Sequence, residues 1–138
     1  MNVEPEVFRV LLTNMGLECC DKNSKILAHK ISIAGMDVIY TRDFRTSVEI
    51  VQAAVQEDVD VLLINYLSCS NITSFTSIPN LLKKANALDI KLLAYDVIDR
   101  KVAKHLTKQG ISEVFLQNTP FENIISRLQG IVSYPRSI

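Results

Sequence analysis

Neither sign of charge predominates in this chain: 15 Lys and Arg stand against 15 Asp and Glu. No global field is left to hold a nucleic acid backbone or an anionic membrane surface, so nucleic acid is excluded as a partner. Long apolar runs are missing too. The short ones that exist are interrupted by charges and fall well below the roughly 20 residues needed to span a bilayer, which excludes a membrane span. The opening "MNVEPEVFRV" lacks the basic-then-apolar order of a secretory signal, and a cytoplasmic protein is expected. Cysteine is scarce and odd in number, three in all, with Cys19 and Cys20 adjacent. That excludes the disulfide framework of secreted mini-domains and leaves reduced thiols as the expectation. Glycine is scarce as well, four residues, and "NMGLECCDKN" contains only one of them. A G-x-G-x-x-G dinucleotide loop or a glycine-rich phosphate loop is therefore absent at the place where it would be needed.

What is present is a regular alternation. Phe8–Thr13, Asp37–Thr41, Val59–Ile64, Ile90–Ala94 and Glu113–Leu116 are β-branched and aliphatic runs with several consecutive apolar positions. Consecutive apolar residues suit strands buried on both faces of a parallel sheet. Between them lie helical stripes: Ile26, Leu27, Ile31 and Ala34 within Ser24–Ala34; Val48, Val51, Ala54 and Val55 within Val48–Val55; then Phe75, Ile78, Leu82, Ala85 and Leu88. Val102–Leu106 and Phe121–Leu128 supply the last two. Five strands alternating with five helices predict an α/β, flavodoxin-like (Rossmann-like) doubly wound parallel sheet of strand order 2-1-3-4-5. One domain is expected over residues 1–138, with a core over about 8–130. In that order the winding reverses between strands 1 and 3, so the loops Asn14–Asn23 and Asn65–Ile72 face a shared crevice, where a small-molecule site belongs. A phosphoryl-accepting receiver domain needs an aspartate ending strand 3, and this chain has Asn65.

From Arg9 to Leu128 the sequence resembles the cobalamin (vitamin B12)-binding domain of methylmalonyl-CoA mutase and the separate small subunits of acyl-CoA mutases. "RVLLTNMGLECCDKNSKILAHKISIAGMDVIYTRDFRTSVEIVQAAVQEDVDVLLINYL", "TSFTSIPNLLKKANALDIKLL" and "GISEVFLQNTPFENIISRL" carry the resemblance. It implies three cofactor motifs, and this chain departs from all three. At D-x-H-x-x-G, whose histidine would ligate cobalt and whose aspartate would orient it, stand Glu18, Cys20 and Asn23. Cys20 thus occupies the metal-ligand position, and a thiolate is a softer, charged donor than a neutral imidazole. At S-x-L, beside the nucleotide tail, the chain reads Asn65-Tyr66-Leu67. At the glycine pair ending strand 4, where the tail would lie against bare backbone, stand Tyr95 and Asp96. A tyrosine ring in such a slot leaves no room for the tail, and overpacking costs roughly 1–3 kcal/mol even for added methylenes.

Three functional expectations follow. The first is a cobalamin-domain relative that binds no cofactor and acts as a non-catalytic interaction or regulatory protein with a protein partner or as a homodimer. The second is a working cobalamin-binding small subunit paired with a large mutase subunit, a non-catalytic part of a cobalamin-dependent isomerase. The third is a thiol-based redox sensor using Cys20 with Cys69 across the crevice. Adjacent cysteines lack C-x-x-C spacing, and His29 and His105 fall within helices, so no zinc site is expected. Asp21 is expected to cap helix 1, and Asp96 and Asp99 to be solvated or to cap helix 4. No nucleophile, base and orienting group can be assembled, and no catalytic residue is assigned.

Overall fold

The computed structural model describes residues 8–15, 21–41, 46–68 and 72–132. Strands β1 (Arg9–Asn14), β2 (Asp37–Thr41), β3 (Val61–Asn65), β4 (Lys91–Val97) and β5 (Glu113–Leu116) form one parallel sheet in the order β2-β1-β3-β4-β5. The expected topology is therefore the observed one. β3 is buried along its whole length and β1 and β4 along most of theirs, while the edge strands β2 and β5 are mostly half-buried. Consecutive apolar side chains alternate between two cores, one on each face of the sheet.

On one face, α1 (Asp21–Ile33) and α6 (Phe121–Val132) cover Val10, Leu12, Val61, Leu63, Leu93 and Tyr95. On the other, α2 (Ser47–Gln56), α3 (Ile72–Thr76), α4 (Ile78–Lys84) and α5 (Arg100–Lys108) cover Leu11, Leu62, Ile64, Leu92, Ala94 and Val97. α1 and α5 both run into a glycine of positive φ, Gly35 at 96° and Gly110 at 101°. That left-handed turn is open to glycine without steric cost, and it redirects the chain into the next strand. At the opposite end from the crevice, Arg9 ties three segments together. Its Nε meets Asp37 at 2.9 Å and its Nη1 donates to the Glu57 carbonyl at 2.7 Å, while its amide donates to Asp60 at 2.8 Å.

Several local expectations are corrected. The single third helix is two, α3 and α4, with Ser77 between them and Pro79 in the first turn of the second. α4 then ends at Lys84, and Asn86 turns at φ 59°. Ala85 and Leu88 consequently leave the stripe: Leu88 is 64% exposed, and Ala87 and Ile90 are buried in their place. In α1 and α2 the buried stripes are Ser24, Leu27, Ala28 and Ile31, and Ser47, Ile50, Val51 and Ala54, whereas Ile26, Val48 and Val55 face solvent. The i, i+3, i+4, i+7 spacing holds in both, but polar Ser24 and Ser47 take inward positions that hydropathy alone assigns to a neighbour. Among the described residues no helix is long and apolar enough to cross a membrane.

Phe75 is fully buried under the second core and packs edge-on against Tyr66, with ring centroids 5.6 Å apart. Phe75→Ala is expected to cost about 3–5 kcal/mol in urea unfolding. Leu88→Ala is expected to stay within about 0.5 kcal/mol of the parent. Equal costs at the two positions would refute the assigned end of α4.

Candidate functional site

The winding reverses between β1 and β3, and at their C-terminal ends Asn14, Asn65 and Tyr95 stand in register across β1, β3 and β4. All three are buried: Asn14 is 1%, Asn65 0% and Tyr95 1% exposed. Ligands of this architecture are received at that point, and here polar side chains meet one another. The Asn14 amide nitrogen donates to the Tyr40 hydroxyl at 3.5 Å, and its carbonyl oxygen accepts from Ser24 Oγ at 3.3 Å. Ser24 Oγ also lies 2.6 Å from the Tyr95 hydroxyl. A serine has one proton to give, so with Ser24 donating to Asn14 the phenol donates to Ser24. β2, β1, α1 and β4 are thereby joined in one chain of hydrogen bonds.

A second chain lies beside it. Asn65 Nδ2 donates to the Asp96 carboxylate at 2.9 Å, and Asn65 Oδ1 accepts from the Ser68 amide at 3.0 Å. Ser68 Oγ donates to the Asn65 carbonyl at 2.6 Å and accepts from the Met15 amide at 2.8 Å. These bonds close the short 3-10 turn Tyr66–Ser68 onto the end of β3 and pin the start of the β1 loop to it. Among the described residues no buried side-chain nitrogen or oxygen lacks a partner.

The end of β4 has an unusual backbone. The β4–β5 register shifts between Ala94 and Val97, and Asp96 within that step has φ 59°. The left-handed region is natural for glycine and tolerated by aspartate, whose short side chain bonds locally. Residues 95 and 96, where the resemblance implies two glycines, thus combine a glycine-like bulge with filled side-chain positions.

The remaining candidates divide. Asn23 is exposed on α1 and Leu67 is half-buried in the 3-10 turn. Glu18, Cys19, Cys20 and Cys69 lie outside the described residues, as does the side chain of Asp21. Asp99 caps α5, accepting from the Val102 amide at 2.9 Å. Asp96 is half-buried against Asn65 and not simply solvated, a correction to the expectation for this pair. His29 and His105 are exposed on α1 and α5, and no cluster of metal-ligating side chains occurs among the described residues. Away from the crevice, Glu122 has its carboxyl held below the ordinary range, first by a backbone hydrogen bond at its own position and then by Lys30 at 3.3 Å. Sequence reasoning missed Asn14, Ser24, Tyr40 and Ser68. The available signal was that Asn14 and Asn65 both end an apolar strand with a buried amide.

Over 125 residues the chain is 41% identical to the small subunit of 2-hydroxyisobutanoyl-CoA mutase from Aquincola tertiaricarbonis, covering 91% of this chain and 92% of that one. It is 31% identical to the small subunit of pivalyl-CoA mutase from Xanthobacter autotrophicus over 85% of this chain and 78% of that one. The chain belongs to the family of acyl-CoA mutase small subunits. No protein-family model matches it. Among solved structures, a cobalamin-binding protein from Desulfitobacterium hafniense superposes with a TM-score of 0.71 at 14% identity, over 91% of this chain and 59% of that one. A signal receiver domain from Mycobacterium tuberculosis does so with 0.70 at 12% identity, over 95% of this chain and all of that one. At such identities the likeness is one of fold alone. In this chain the described strand ends at the crevice carry Asn14, Ser24 and Tyr95 bonded in one chain and Asn65 bonded to Asp96 and Ser68 in another.

Tyr95→Phe and Ser24→Ala are each expected to lower stability by about 1–3 kcal/mol, because each leaves a buried partner unsatisfied. The double variant should cost less than the sum, with a coupling of about 0.5–3 kcal/mol in urea unfolding. Strict additivity would refute the hydrogen bond.

Proposed function

We propose that this chain is the small subunit of an acyl-CoA mutase and works in the cytoplasm by pairing with a large mutase subunit. The observation that carries this reading is the 41% identity to a mutase small subunit over nearly the full length of both chains. The fold supports it, because insertions or lost elements would have disturbed a five-stranded sheet whose order is complete. Chemistry is assigned to the large subunit, since the described crevice residues are hydrogen-bonded within the protein and, among them, no nucleophile stands with a base.

Two readings of the cofactor remain within this assignment. In one the chain itself carries a cobalamin; full-length relatedness to mutase small subunits supports it. In the other it carries none and serves its partner as an interaction or regulatory subunit. The specific observation favouring the second is the buried Tyr95 ring, bonded to Ser24, where the family resemblance implies a bare backbone. The residues described at the implied tail position do not fit that group.

Affinity purification of the tagged chain from the organism that encodes it is expected to bring down a large acyl-CoA mutase subunit, identified by mass spectrometry, in a complex that survives size exclusion. A chain that elutes alone, or only as a dimer of itself, would refute the pairing.

A further inference from the structure

We infer that the crevice of this chain is closed from within, and that Tyr95, anchored by Ser24, is the side chain that excludes the nucleotide tail of a cobalamin. The identity of the excluded ligand rests on the small-subunit reading; the closure itself rests on geometry.

Three observations carry it. The first is position: Tyr95 is in register with Asn65, and Asn65 with Asn14, so the ring stands at the switch point of the winding. The second is satisfaction. A site preorganised for a polar ligand keeps buried donors and acceptors aimed at the space the ligand will fill. Here Asn14, Ser24, Asn65, Ser68 and Tyr95 are all buried, and their polar groups are engaged within the protein, in one chain through Tyr40 and in another through Asp96 and the Met15 amide. The third is packing. Tyr95 belongs to the core that α1 and α6 share with Leu27, Leu63, Leu93 and Ile124. To admit a bulky group there the phenol must leave that core and give up its 2.6 Å bond to Ser24. Interiors packed at crystal-like density offer it no alternative place.

The backbone supplies the reason to expect that this closure can be reversed. Asp96 sits at φ 59° within a break of the β4–β5 register, a conformation glycine adopts at least as readily as aspartate. Removing both side chains therefore asks for no new path of β4. It deletes the ring, the carboxylate and the phenol–serine bond while the strand end keeps its shape.

The test uses the purified, reduced chain mixed with adenosylcobalamin, passed over a desalting column, and read by the visible spectrum of the protein fraction. The parent is expected to emerge colourless, and the Tyr95→Gly, Asp96→Gly variant to retain corrin at least about tenfold more tightly by titration. A parent that retains corrin would overturn the inference. So would a double variant that is folded by circular dichroism and still colourless. Tyr95→Ala, which leaves Asp96 in place, carries the same expectation if the double variant does not fold. The outcomes separate from those of the pairing experiment. A parent that binds corrin and copurifies with a large subunit removes the closure alone. A colourless parent that finds no large subunit removes the small-subunit reading and leaves the closure standing.

Discussion

The structure depends on the burial of three central strands, β1, β3 and β4, from both sides at once. A strand apolar on both faces is satisfied only by helices above and below it, and parallel neighbours require each crossover to carry such a helix. The division of the core follows: Val10, Leu12, Leu63 and Leu93 go to α1 and α6, while Leu11, Leu62, Ile64 and Leu92 go to α2 through α5. Helices on two faces imply a point at which the winding changes side. The crevice exists because of that reversal, before any residue is chosen to line it.

What lines it is a set of buried polar side chains. Strands buried on both sides end in backbone and side-chain polar groups that water does not reach freely, and these must find partners. Asn14 and Asn65 solve the problem internally, through Ser24, Tyr40 and Tyr95 on one side and Ser68 and Asp96 on the other. The same positions in a ligand-binding crevice would leave part of that bonding to the ligand. Internal satisfaction and ligand capture compete for the same atoms, and a donor already paired within the protein must give up that bond before it can serve a guest.

The end of β4 carries two signals that point in different directions. Its backbone bulges and turns through the left-handed region at Asp96, and its side chains fill the space such a turn exposes. Backbone geometry is fixed by the whole sheet and by the approach of α5, whose first turn is capped by Asp99 three residues later. Side chains change one at a time.

Much of this protein was legible in its sequence. The consecutive apolar runs determined the parallel, doubly covered sheet and its order, because period and connection length leave few other arrangements. Strand order located the crevice at the ends of β1 and β3, and Asn65 and Tyr95, singled out in the sequence, stand in register there. Hydropathy misjudged the helix faces at Ile26, Val48 and Leu88, since a stripe two residues wide can be read one position off and only packing selects the inward side. It was equally silent on Ser24 and Ser68, polar residues that count as surface by type and are fully buried by partnership. Which atoms bond across the crevice is decided by the distances between β1, β3, β4 and α1. Those distances join residues as far apart as Ser24 and Tyr95, and they exist only once the sheet has formed.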